Sequence, residues 1–264
     1  MINRYKSAAL LKDSAKGYLN GKYKRAVLLT LVYAVIAYTI ATVFGSVSDG
    51  IDLLAGKAGL SETAGDVLDL VSYYVIGILS SAFAGIMMEG MSLFYLKAGT
   101  GQMPAVSDNF AGFRENFGRN FLIALTVTAP SYLCTLPYYV VKLAEDVSEN
   151  PGTYFTAAKA IVFVLGLIAS IYLEICLANA FFIMWDFPEY TAAEVIDASF
   201  KKIEGSKGRY LGMAISFIPL ILLTVLTLGI ALLWLIPYMY ETRALFYLDL
   251  MNPKKVSGEW ERTV

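Results

Sequence analysis

Three glutamates, Glu89, Glu174 and Glu241, stand inside long apolar stretches, and so does a single arginine, Arg243. An ionised side chain near the middle of a bilayer costs about 2.5–3.5 kcal/mol on insertion scales, so each must face a helix-bundle interior or water. The spacing agrees. Gly77, Ser81 and Gly85 precede Glu89 at steps of four, and Gly166 and Ser170 precede Glu174 in the same way. Each set is a close-packing helix face that ends in a carboxylate. In the last stretch the column Gly229, Leu233, Pro237, Glu241 is looser. Arg243 lies two residues from Glu241 and cannot face it on one helix, so Glu89 or Glu174 is its expected mate. Asn179, Tyr172, Tyr240 and Thr242 are placed to add hydrogen bonds. Two chemistries fit this set. Either the polar groups fix helix packing, or they bind a proton, a cation or a basic substrate.

Other chemistry is scarce. Histidine is absent, which removes Ser-His-Asp and Cys-His nucleophile systems and His-bearing metal sites. The cysteines Cys134 and Cys176 fall at different depths of different spans, so no disulfide is expected. Neither a Walker A sequence nor a dinucleotide fingerprint occurs. The run from Glu204 to Arg209 has the flavour of a phosphate loop, but no strand precedes it. No catalytic residue, cofactor or metal ligand is assigned, and the expected class is not an enzyme. A net charge of −1 gives no bulk basicity for nucleic acid.

The elements that must position these groups follow from composition. Of 264 residues, 57% are hydrophobic and 16% charged, with a mean hydropathy of +0.59. A spanning helix needs about 20 mostly apolar residues. Six stretches qualify: 26–44, 70–96, 120–141, 157–185, 210–228 and 230–250. The first follows 25 residues of charged, patterned sequence and reads as a retained span rather than a signal peptide. Lysine and arginine set the orientation. Seven precede the first span; Lys97, Arg114, Arg119, Lys201, Lys202, Lys207, Arg209, Lys254, Lys255 and Arg262 share its side. That places 17 of 21 basic residues on one face, which predicts a multi-pass chain in the cytoplasmic membrane with both termini in the cytoplasm.

Each odd-numbered span is preceded by a segment of helical periodicity, near 4–20, 108–119 and 191–204. Ala8, Leu11, Ala15 and Tyr18 share a face in the first; Phe110, Phe113 and Phe117 do so in the second; Ile196, Phe200 and Ile203 do so in the third. Thr191 and Glu194 have capping-box spacing. Such segments suit the headgroup plane, with Lys12, Lys16, Arg114, Arg119, Lys201 and Lys202 turned toward anionic lipid. The expected fold is all-α: a single transmembrane domain over 1–264, built of six helices as three hairpins, each behind a cytoplasmic amphipathic helix. The small-residue columns suit packing within one chain, between copies, or against another membrane protein.

One resemblance adds to this. Asp186 and Pro188, Ala198-Ser199, Leu226-Thr227-Leu228-Gly229, Leu233-Trp234-Leu235, Pro237-Tyr238 and Phe246-Tyr247 resemble an uncharacterised family of bacterial six-span membrane proteins, filed as domain of unknown function nine-seven-five. Ala15-Lys16, Leu19, Gly21 and Ala26 are similar to that family's opening. The family often enters its fourth span with Pro-Gly and isoleucines, where this chain has Leu165-Gly166-Leu167. The resemblance implies location and architecture and carries over no catalytic residue. From the residues, two functions stand: a non-enzymatic partner, regulatory or envelope-maintenance component, and a small transporter or channel-like carrier that uses the glutamates.

Overall fold

Ser7 begins the first helix by accepting the Leu10 N–H on its hydroxyl at 3.3 Å, which satisfies one of the free donors of a helix start. This helix, α1 (Ala8–Leu19), buries Leu11, Ala15 and Leu19 at steps of four and ends before Gly21, whose φ is +75°. The buried face is therefore rotated from the expected one, and Tyr18 is exposed. It packs on the far end of the chain, which no local periodicity encodes.

The computed structural model describes residues 5–148 and 152–252. Arg4, Lys254, Lys255 and Arg262, counted above to orient the chain, lie outside them. α2 (Tyr23–Lys57) and α3 (Glu62–Gly99) are 35 and 38 residues long, or roughly 50–57 Å at 1.5 Å per residue. Both overrun the expected spans at their shared end. No proline stands between Phe44 and Lys57, and Thr42 and Ser46 turn their hydroxyls back onto the helix's own carbonyls. Gly59, at φ +67°, makes the turn between the two helices.

The second cytoplasmic segment departs from its expectation. A 3₁₀ turn at Val106–Phe110 leads into a single helical turn, α4 (Ala111–Arg114). Asn116, at φ 42°, then breaks the chain before α5 (Phe117–Leu133). The break removes Phe117 from the supposed stripe and starts the next helix with it. Phe113, Phe117 and Phe121 stack in sequence instead, with centroids 6.3 and 5.9 Å apart.

Three of the remaining runs are each interrupted once. Cys134 and Thr135, between Pro130 and Pro137, separate α5 from α6 (Leu136–Asp146). α7 (Thr153–Leu177) is followed, across Ala178 and Asn179, by α8 (Ala180–Asp186). α9 (Ala192–Ile203) carries the Thr191–Glu194 capping box and buries Val195, Ser199 and Ile203; of the expected stripe only Ile203 is buried, while Ile196 and Phe200 are half-buried. α10 (Lys207–Ile215) and α11 (Ile218–Leu226) are divided ahead of Pro219, and α12 (Leu232–Met251) closes the chain.

Among the described residues there is no strand. Among the described residues five helical runs are long and apolar enough to cross a membrane: Tyr23–Lys57, Thr63–Gly99, Phe117–Asp146, Thr153–Asp186 and Lys207–Leu226. α12 has the length, but Glu241, Arg243 and Asp249 make it more polar. α3 is the centre, touching α2, α5, α8 and α12. The buried core gathers near its end, around Phe94, Tyr95, Phe182, Phe246 and Tyr247. Apolar side chains of α2, α7 and α11 point outward instead, with Tyr38 73%, Leu165 60% and Leu226 80% exposed. An apolar exterior over a small core is the surface of a chain that contacts lipid.

Candidate functional site

Glu89 lies on α3 where the 3₁₀ turn and α4 cross over it. It is fully buried, and neither carboxylate oxygen has a hydrogen-bond partner among the described residues. The crossing is close. A Cβ on Gly112 would stand 2.8 Å from Oε2 of Glu89, and one on Gly90 would stand 2.2 Å from the carbonyl oxygen of Asn109. Glycine is required at both places because backbone meets helix with no room between. The Trp185 indole N–H donates to the Glu89 carbonyl at 2.8 Å.

Arg119, at the start of α5, is the cation whose field reaches Glu89. Its guanidinium donates to the carbonyls of Pro188 and Met184, at 2.5 and 2.7 Å. Its spacing places Arg119 toward lipid headgroups, but the structure turns it inward, where one carbonyl in the last turn of α8 and one just past its end hold it. Asn120, beside it and buried, donates to Gly112 and Glu115 at 3.0 and 2.5 Å, which fixes the chain entering α5.

Glu241, on α12, is also fully buried with both oxygens unpartnered among the described residues. A Cβ on Gly99 would come within 3.3 Å of its Oε1. Its cation is Lys22, the residue that begins α2, whose ammonium donates to the Ala98 carbonyl at 3.2 Å. Glu174, by contrast, is exposed on α7. Arg243 stands within its field and that of Tyr210, 5.4 Å from the Tyr240 ring. The expected mate of Arg243 is Glu89 or Glu174; among the described residues Arg243 makes no ion pair with either, though it lies in the field of Glu174. Asn179 is buried at the break before α8, with its side-chain N–H₂ unpartnered among the described residues, apart from the glutamates.

The three carboxylates are therefore not brought together. Each lies in the field of a different cation, Glu89 in that of Arg119, Glu241 in that of Lys22 and Glu174 in that of Arg243, with no direct ion pair to any of the three among the described residues. Sequence reasoning missed Lys22 and Asn109 as parts of this arrangement. Asn109 is wholly buried with its amide unpartnered among the described residues, and nothing in its local spacing marks it.

The basic residues expected at the membrane surface divide in two. Arg114 folds back onto the carbonyls of Ser107 and Phe110 at 2.5 and 3.4 Å. Lys201 pairs with Asp197 one turn earlier at 2.6 Å, which holds its ammonium above the ordinary lysine value, and Lys202 is exposed. Lys12 donates to the Ser216 carbonyl and hydroxyl, and Lys16 lies over the Tyr238 ring at 5.9 Å. Glu194 accepts from the Thr191 N–H and O–H, both at 2.8 Å, and these bonds hold its carboxyl below the usual carboxylate range. Among the described residues no group of three or more His, Cys, Asp or Glu side chains could hold a metal ion.

Fold and site together define an all-helical, membrane-embedded protein with isolated carboxylates buried in its core. The chain belongs to the family described as protein of unknown function DUF975, whose family model matches residues 1–254. No curated protein and no solved structure matches it.

Proposed function

We propose that the chain is a six-span, non-enzymatic protein of the bacterial cytoplasmic membrane that serves as a partner, regulatory or envelope-maintenance component. α12 is the sixth crossing in this reading: its 20 residues cover about 30 Å, and Glu241 points inward. The basic face carries both termini, and α1 and α9 lie in its headgroup plane. The observation that supports this reading is the separation of the carboxylates: among the described residues no three acidic side chains gather at one place, and each of the three glutamates lies in the field of a different cation. Charges spread in this way brace a bundle; they do not line one passage. The short loops and basic ends are then the surfaces that meet anionic lipid and a membrane-protein partner or second copy.

A carrier is the second reading, favoured by the unpartnered carboxylate oxygens of Glu89 and Glu241. Glu89→Gln, Glu174→Gln and Glu241→Gln in proteoliposomes separate the two. The bracing role expects altered unfolding temperature and no proton or cation flux in any form of the protein. Flux in the parent chain that one of these variants abolishes, with unfolding unchanged, would replace it with the carrier. Cysteines introduced at positions 57 and 202, on a Cys134→Ser, Cys176→Ser background, test topology: an impermeant thiol reagent on whole cells should label only the first.

A further inference from the structure

α1, α11 and α12 enclose a groove of about 970 Å³, at the upper end of the roughly 300–1,000 Å³ typical of ligand pockets. Its lining is of two chemical kinds: Lys12, Asp13, Lys16 and Tyr23 are charged or polar, and Leu220, Leu223 and Trp234 are apolar. The charged residues of α1 meet the break between α10 and α11. There the Ser216 carbonyl has no helical N–H to accept, and the Lys12 ammonium takes it at 3.0 Å while sitting 4.3 Å from the centre of the Phe217 ring. Lys16 follows one turn later on the same face. Burial and the neighbouring Lys16 hold the Lys12 ammonium below its ordinary value, so an anion between them would relieve that repulsion.

The apolar lining of α11 and α12 opens outward, with Leu223 47% and Trp234 54% exposed on helices whose other outward residues are apolar as well. Two ammonium groups against the single Asp13 carboxylate leave one net positive charge, which matches the single negative charge of a phosphodiester. We propose that this groove is a discrete site for one anionic phospholipid, with its phosphate between Lys12 and Lys16 and an acyl chain along Leu220, Leu223 and Trp234. The site gives α1 a defined lipid ligand instead of a diffuse attraction to charged membrane. It rests on the placement of α1 at the cytoplasmic surface, which labelling of a cysteine introduced at position 10 on the same cysteine-free background tests separately.

Trp234 supplies the readout. The full chain is reconstituted in phosphatidylcholine bilayers that contain, at one low mole fraction, either brominated phosphatidylglycerol or brominated phosphatidylcholine. Tryptophan quenching is then compared with that of a Trp234→Phe variant, so that the difference reports Trp234 alone. The expected result is preferential quenching by the anionic lipid, equivalent to about a tenfold higher occupancy, from two lysines acting at close range. Lys12→Gln/Lys16→Gln should abolish the preference; Lys16→Gln alone, which leaves the Ser216 contacts intact, should reduce it. Lys201→Gln/Lys202→Gln on α9 should leave it unchanged. Equal quenching by the two lipids in the parent chain would overturn the site, as would a preference that survives loss of both groove lysines or disappears equally with the α9 pair.

Discussion

Arg209 donates to Asp249 at 2.5 Å across 40 residues of chain, and the same carboxylate accepts the Lys6 backbone N–H at 3.1 Å. One carboxylate thus ties the chain ahead of α1 to α10 and α12. The guanidinium lies between the Tyr5 and Phe246 rings, 4.6 and 4.3 Å from their centres. Asp249→Asn would leave Arg209 partly buried without its counter-charge. The expected loss is about 2 kcal/mol, in the range for hydrogen bonds to charged groups. Thermal unfolding in detergent measures it, and an unchanged midpoint would show that this junction does not hold the ends together.

The glycine crossings give a sharper contrast. Gly90→Ala would drive a Cβ to 2.2 Å from the Asn109 carbonyl oxygen, and Gly166→Ala one to 2.1 Å from that of Cys134. Backbone cannot yield as a side-chain tip does, so each should destabilise by about 3 kcal/mol or more. Gly17→Ala meets nothing within 4 Å on an α1 turn and should stabilise by about 0.5–1 kcal/mol. The order of the three unfolding midpoints checks the packing at all three sites.

The separate fields on the glutamates predict which double-mutant cycles show coupling. Glu89→Gln with Arg119→Gln, and Glu241→Gln with Lys22→Gln, should each depart from additivity by about 0.5–3 kcal/mol. Glu89→Gln with Arg243→Gln should be additive, because each of these side chains lies in the field of a different partner. Coupling between Glu89 and Arg243 equal to that between Glu89 and Arg119 would point to one shared network in place of separate ones.

Glu194 sets a pH dependence on α9. Its folded carboxyl titrates below its unfolded value because it accepts two bonds from Thr191. Its contribution is therefore fully present above the unfolded value and fades as pH falls through the lower, folded one. Amide exchange in the first turn of α9 should speed up as the solution is acidified through the carboxylate range. Glu194→Gln should flatten that acid response, and Thr191→Ala should cost about 1 kcal/mol at neutral pH by removing the cap.

Sequence alone determined the helices and their environment. Apolar runs too long and too uniform for a soluble core, with charges gathered in the loops, make a lipid-facing all-α chain whatever its tertiary packing, and the residues from Asp186 to Tyr247 carried the family. The Thr191–Glu194 box could be read directly because a capping box is closed within four residues. Tertiary structure decided which face each short helix buries. Helical period limits the choice to neighbouring stripes, and contacts with α12 or α8, distant in sequence or turned by a loop, select among them. It also decided the partners of the glutamates. Spacing shows that a carboxylate lies within an apolar run, but which cation meets it depends on how separate helical pairs pack. For that reason Arg119 and Lys22, read from the sequence as surface charges, end beside Glu89 and Glu241.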